Sequence, residues 1–306
     1  MKVKPGISSF IDDPDHAGPS LAPLFDFARR TLKAAGCEAM DTVPVFLGAT
    51  AGMRILAPKD SVAIMMSVKE YIKSSGFRVD DNSWIRVISG EEEGAFGWLA
   101  VNWLRNTWKA SNPEDSIGAL DLGGASTQIT YRAREDIIAS YFSMDINRNH
   151  NDLYTHSFLY FGRDQAFLQL QDGLEKAGRG ENPCYPKGEK DSRGLAGSSN
   201  SSACADACSD LILTSAPCFQ SDKTECSMQG VYQPTMEPEL EFYAMGYFVY
   251  LWEFMKMPAS GSLSDLRAMA EKVCAMNAEE LASFSSDKYR SGYCFGAWYV
   301  INLLHR

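Results

Sequence analysis

Apolar positions recur at helical spacing from Leu21 to Ala35 and stop at Gly36, so this stretch predicts an amphipathic helix closed by a glycine. Val43 to Leu47 is a short apolar run, read as a buried strand entering Gly48-Ala49-Thr50-Ala51-Gly52. Ser61 to Ser74 reads as a second helix, with Gly76 behind it. Trp84 to Ile88 reads as a strand ending at Ser89-Gly90, and Glu91 to Trp108 as a helix with Phe96, Leu99, Trp103 and Leu104 on its apolar side. Ile117 to Leu122 predicts a strand ending in Gly123-Gly124, followed by strands over Thr127–Tyr131 and Ile137–Phe142. Further on, helices are expected from Gly162 to about Ala177, over Glu239–Met255, over Leu263–Phe284 and over Cys294–Leu304. Strands alternating with helices predict an α/β fold.

Composition narrows the function. A formal net charge of −10 over 306 residues argues against a nucleic-acid binder, which needs clustered Lys and Arg. An acidic chain that handles phosphates must attract them locally, through backbone N–H groups or a metal ion. Of the eight cysteines, five fall between Cys184 and Cys226 in a Ser/Gly-rich setting, without zinc-type spacing. Disulfides are the better reading, and they imply an oxidising compartment. Asn200-Ser201-Ser202 is a glycosylation sequon in the same stretch. The first residues carry no signal peptide, and no apolar run is long enough for a membrane span. A disulfide-rich chain without a secretory signal is expected to be a fragment of a longer one.

Three strand–turn units carry the candidate chemistry: Gly48–Gly52, Ser89–Gly94 and Asp121–Gln128. Small residues let backbone amides approach an anion without interference from Cβ atoms. Asp121 at a strand end can hold a hydrated divalent cation, and Gly123 and Gly124 can present amides to a phosphate. If the chain is extended, Ser126 and Gln128 face one side and can hold a water together. A tight hairpin with an Asx-type turn would need the same octapeptide. One of Glu91, Glu92 and Glu93 offers a general base, although three acids also suit the first turn of a helix. Gly48–Gly52 reads equally well as a packed strand–helix junction. Arg54 is expected to pair with an acid rather than to touch phosphate.

Taken together, the segments Val45–Arg54, Ile88–Trp98 and Gly118–Thr130 resemble three conserved regions of the ectonucleoside triphosphate diphosphohydrolases, the membrane-bound and secreted apyrases. Tyr154–Leu159 and Gly162–Ala166 extend the likeness over nearly the whole chain. The resemblance implies an actin-like (ribonuclease-H-like) two-lobed fold. It places a truncated first lobe at 1–89 and a second lobe at 90–306, with a Cys-rich insertion at about 180–228. It implies Glu93 as general base, Ser126 and Gln128 as positioners of the attacking water, and Asp121 as the holder of Ca2+ or Mg2+ through water. Thr50, Ala51, Gly123, Gly124 and Ala125 would contact phosphates; Arg163, Asp164 and Tyr247 would line the nucleoside pocket, with core packing the alternative for Tyr247. It favours disulfides Cys218–Cys226 and Cys274–Cys294, with Cys184 joined to Cys204 or Cys208 and Cys37 left without an obvious partner. The substrate would be a nucleoside tri- or diphosphate, and the location extracellular or in the secretory lumen.

The sequence departs from that family at both ends. The family's opening phosphate loop, of the type Asp-x-Gly-Ser-(Ser)-x-Thr, has no counterpart, nor does its closing Gly-Ser-x-x-Gly-Trp motif. The first lobe is therefore expected to be incomplete, and hydrolysis by this chain alone impaired; the alternative is an inactive homologue that at most binds nucleotide. A different actin-like ATPase, such as a chaperone or sugar kinase, fits the cysteines poorly.

Overall fold

The computed structural model describes residues 1–109, 112–212 and 226–305, and the structural statements below concern those residues. The chain separates into two compact units, Met1–Glu93 and Gly94–Arg306.

In the first unit, α1 (Ala22–Ala34) ends before Gly36, which takes the left-handed conformation open to glycine (φ +83°). The expected strand at Val43–Leu47 begins as an isolated bridge. Val45 donates to Arg78 and Arg78 to Val43, while Pro44 has no amide to give. The regular strand β1 (Leu47–Ala49) leads into a four-residue helix, α2 (Ala51–Arg54). Helix α3 (Pro58–Ser74) starts before Ser61, because Pro58 is accommodated in a first turn that needs no amide. Strand β2 (Ile85–Val87) pairs parallel with β1, Leu47 opposite Ile85. Ile64, Met65, Val68 and Ile72 of α3 pack with Phe25, Phe77 and Ile85 into the core of this unit. The unit boundary falls in the first turn of α4 (Gly90–Arg105).

The second unit continues with β3 (Gly118–Leu122), β4 (Ser126–Tyr131), β5 (Tyr141–Ile146), β6 (Asn149–Leu159) and α5 (Arg163–Lys176). Next come β7 (Glu181–Asn182), β8 (Ala196–Gly197), α6 (Ser201–Ile212), β9 (Phe242–Gly246) and α7 (Tyr247–Phe254). Helices α8 (Leu263–Cys274), α9 (Ala278–Phe284) and α10 (Tyr293–Leu303) complete it. The sheet runs in the order β5-β6-β4-β3-β9, antiparallel except for the β3–β9 pair.

Several expectations are corrected here. Glu239–Met255 is not one helix: Phe242–Gly246 pairs with β3, and Gly246 at φ +69° turns the chain into α7. A neighbouring strand with open hydrogen-bonding groups overrides the helical apolar spacing. Leu263–Phe284 breaks after Cys274, where Asn277 accepts from the amides of Glu279 and Glu280 and so starts a second helix. The strand expected at Ile137–Phe142 lies later, at Tyr141–Ile146, after Ser140 at φ +57°. The Cys-rich stretch contains helix α6, whose start is capped by the side chain of Asn200 accepting from Ala203.

Helix α10 is buried all round, with Phe295, Trp298, Tyr299 and Ile301 in the core together with residues of α5, α6, α7 and α8. Cys274–Cys294 ties it to α8, and Cys184 joins Cys204 rather than Cys208. Each bridge closes a loop of 20 residues, worth on the order of 3 kcal/mol in the chain-entropy account. Cys37 and the buried Cys208 are free thiols. The Cys218–Cys226 expectation lies outside the described residues, since Cys218 is not among them.

Candidate active site

The segment from Asp121 to Gln128 is a tight hairpin between β3 and β4, in which the Gly123 amide donates to the Ser126 carbonyl at 3.0 Å. That bond occupies one of the amides expected to meet a phosphate. The neighbouring carbonyls are also taken. Gly123 accepts from the amide of Arg163 (2.8 Å), Gly124 from Asp164 and Gln165 (2.9 and 3.0 Å), and Ala125 from Tyr160 (2.8 Å). Two consequences follow. The first turn of α5 finds acceptors for amides that a helix start always leaves over. The same peptides, being planar and trans, turn the amides of Gly124 and Ala125 away from α5. Among the described residues those two amides meet no acceptor. They form a small anion-binding concavity held rigid from behind.

Gly162 makes this docking possible. A Cβ at that position would lie 2.3 Å from the Ala125 nitrogen and 2.4 Å from both the Gly124 carbonyl carbon and the Ser126 nitrogen. Its φ of −69° is ordinary, so glycine is required for closeness and not for backbone conformation. The sequence places Gly162 at the start of a helix; nothing in its neighbours reveals the contact with a turn 37 positions earlier.

Ser126 and Gln128 share one face of β4, as the alternation predicts. Gln128 Nε2 donates to Ser126 Oγ at 2.7 Å and to Ser157 Oγ at 2.8 Å. Both amide hydrogens are thereby used, and Gln128 Oε1 meets no protein donor among the described residues. An oxygen fixed in this way can accept a hydrogen from a water. Ser157 sits opposite Gln128 in the β4–β6 register. Sequence reasoning missed it because cross-strand register is a tertiary fact; its signal was only the strand-like alternation around Tyr154–Leu159. Further along the same face, the hydroxyls of Thr130 and Thr155 are 2.7 Å apart, and each would lie 2.5 Å from a Cβ at Gly94. Helix α4 thus reaches the sheet through a bare backbone.

Asp121 is half-buried, and its carboxylate meets no hydrogen-bond donor among the described residues. Burial pushes its pKa above the usual aspartate range. Gly246 passes so close that a Cβ there would stand 2.7 Å from Asp121 Oδ1. A desolvated carboxylate with no donor from the protein is suited to a cation.

The first unit holds Thr50, Ala51 and the candidate base. Thr50 stands at the junction of β1 and α2, and its carbonyl accepts from Met53. A cleft of about 270 Å³ runs beside Gly48, Thr50 and Gly52, with Ser8 on its wall. The three acids occupy the first turn of α4 and are used differently. Glu92 pairs with Arg86 through both oxygens and accepts the Ser89 amide, which holds its carboxyl below the usual range. Glu93 pairs with Arg54 at 2.8 Å. The acid expected to partner Arg54 is therefore the candidate base itself.

Arg163 and Asp164 begin α5. Arg163 donates to Asp164 Oδ1 at 3.0 Å and to the Gly292 carbonyl at 2.9 Å, and its guanidinium lies 5.5 Å from the Tyr247 ring centre. The Asp164 carboxylate lies beside Gly124. Tyr247 stacks on Tyr293 at 5.8 Å, and its hydroxyl is buried against Gly296, which pushes its pKa above the usual phenol range. With Tyr293 stacked on its ring and the Arg163 guanidinium beside it, Tyr247 has the surroundings of a core residue.

The family described as GDA1/CD39 (nucleoside phosphatase) matches residues 1–306. The chain is 33% identical to ectonucleoside triphosphate diphosphohydrolase 8 of Gallus gallus, over 98% of this chain and 67% of that protein. It is 32% identical to ectonucleoside triphosphate diphosphohydrolase 2 of Homo sapiens and 29% identical to probable apyrase 3 of Arabidopsis thaliana. In each case the chain spans 67% of the relative's length. A solved structure of nucleoside triphosphate hydrolases from Neospora caninum superimposes with a TM-score of 0.63 at 15% identity, covering 97% of this chain and 73% of that one. That likeness concerns the fold, which is of the actin-like α/β class.

Proposed function

Because the chain belongs to the GDA1/CD39 (nucleoside phosphatase) family, we propose that it hydrolyses the terminal phosphate of nucleoside tri- or diphosphates. In this reading Glu93 takes a proton from a water while the water oxygen bonds to the terminal phosphorus. The bond from phosphorus to the bridging oxygen breaks, and the shortened nucleotide leaves with the negative charge. Gln128 and Ser126 hold the water. The amides of Gly124 and Ala125 receive phosphate oxygens, and Gly123, Thr50 and Ala51 are assigned further phosphate contacts.

The observation that carries this reading is the Ser126–Gln128–Ser157 network beside a turn whose amides are aimed by α5. Preorganised donors at a place where charge develops are typically the largest single contribution to such catalysis. A general base adds a further factor of about 100 to 10,000.

Asp121 fits a hydrated hard cation, being a carboxylate that meets no donor among the described residues. It would hold Ca2+ or Mg2+ through water. When bound, the ion neutralises charge on the phosphate oxygens. The nucleoside is assigned to the neighbourhood of Arg163 and Asp164; Tyr247 would support it by fixing Arg163. The disulfides Cys184–Cys204 and Cys274–Cys294 fit an extracellular or secretory-lumen location. No helix among the described residues is long and apolar enough to cross a membrane.

The test is phosphate release from ATP and ADP with Mg2+ or Ca2+ and with a chelator. Metal-dependent release that falls on the order of 100-fold in Gln128→Ala supports the reading. Nucleotide binding without release would reduce the protein to a nucleotide binder, and neither binding nor release would sink the assignment.

A further inference from the structure

We propose that Arg54 is a positioning residue for the hydrolytic reaction, holding the Glu93 carboxylate in a fixed place relative to the Gly48–Gly52 turn. This rests on the reading of Glu93 as general base. Arg54 is the last residue of α2, one helical turn after Thr50. Its Nη1 donates to the Ile88 carbonyl at 2.9 Å, and its Nη2 to Glu93 Oε2 at 2.8 Å. The Ile88 amide in turn donates to the Ala49 carbonyl at 2.9 Å. One planar fork therefore joins the ends of β1 and β2 to the acid on α4. The two side chains are 14% and 17% exposed, so water screens the pair little.

The division of the acids supports the assignment. Glu92 is committed to Arg86 and to the Ser89 amide, a capping arrangement that fixes the start of α4. Glu93, in the next position, is gripped by a residue at the end of the short helix that leaves the candidate phosphate turn. A base must be both ionised and aimed, and a guanidinium beside it serves both needs. Lysine supplies the charge but not the rigid two-point geometry.

The experiment compares Arg54→Ala, Arg54→Lys and Glu93→Gln in the full chain. In Arg54→Ala, kcat is expected to fall on the order of 100-fold with KM for ATP nearly unchanged. The acidic limb of the pH–rate profile moves to higher pH, because an opposite charge has left the carboxylate. Arg54→Lys restores the limb and only part of kcat. A lowered melting temperature with an unmoved acidic limb would overturn the proposal, leaving Arg54 a purely structural tie. A Glu93→Gln variant that keeps its activity would instead overturn the base assignment. A second readout does not depend on turnover: the 13C carboxyl resonance of Glu93, identified by its loss in Glu93→Gln, is titrated in the wild type and in Arg54→Ala. A higher midpoint in Arg54→Ala is expected; equal midpoints would overturn the proposal.

Discussion

The small-residue turn of the first unit and that of the second are built from similar residues but held in different ways. Gly48–Gly52 links a short parallel strand to a four-residue helix, and its surroundings are side chains. A Cβ at Gly48 would make an ordinary contact with Ile88 at 3.4 Å, and one at Gly52 would meet the Ser8 hydroxyl at 2.9 Å. Gly123–Ala125 links two antiparallel strands; the Asp164 carboxylate lies beside Gly124, but the carbonyl side of the turn rests on backbone. Its carbonyls are held by the start of α5, and the glycine that permits this, Gly162, lies outside the motif. A side chain can rotate away from an added methyl group, whereas a hydrogen-bonded peptide cannot. The density of glycines in a motif is thus a poor guide to where closeness is enforced.

The sharpest way to break this comparison is Gly162→Ala. The added methyl group must push the turn off α5, so phosphate release is expected to fall by roughly 100- to 1000-fold, as when an oxyanion donor is lost. Thermal unfolding should report a loss of about 1–3 kcal/mol from overpacking. Wild-type activity in this variant would show that the turn is not aimed by the helix. Ser157→Ala is a smaller perturbation: Gln128 keeps Ser126 as acceptor and loses one hydrogen bond of about 1 kcal/mol. Steady-state assays should show a decrease near tenfold, read mainly in kcat; an unchanged rate would remove Ser157 from the network. The smallest effect is expected for Gly48→Ala, where a Cβ would make only ordinary contact with the Ile88 side chain and φ is not positive. Its unfolding free energy should shift by less than about 1 kcal/mol, in the stabilising direction if the unfolded chain loses freedom. A destabilisation as large as that of Gly162→Ala would erase the distinction between the two turns.

Much of the local geometry of the candidate site was legible in the chain itself. Period-two alternation put Ser126 and Gln128 on one face, and the residue types at Asp121–Gln128 pointed to phosphate chemistry. The glycine stop at Gly36 marked the helix end before it correctly. Where the reading failed, a distant partner was responsible. Phe242–Gly246 has helical spacing but joins the sheet beside β3. Arg54 was expected to pair with an acid, yet only folding could select Glu93, since Glu92 is claimed by Arg86. The sequence leaves Tyr247 open between base stacking and core packing, and its surroundings are those of packing because α10 brings Tyr293 and Gly296 against it.

Local chemistry is what a sequence can fix alone. The period of the apolar residues, the conformational freedom of Gly36 and Gly246, and the presence of amides, a carboxylate and hydroxyls at Asp121–Gln128 are properties of neighbours in the chain. Which carbonyl accepts the Arg163 amide, which acid Arg54 grips, and which of Cys204 and Cys208 bonds to Cys184 depend on groups tens of residues apart meeting within a few ångströms. Those meetings are settled by packing the whole chain at once, because each buried polar group must find its partner in the same arrangement that fills the core.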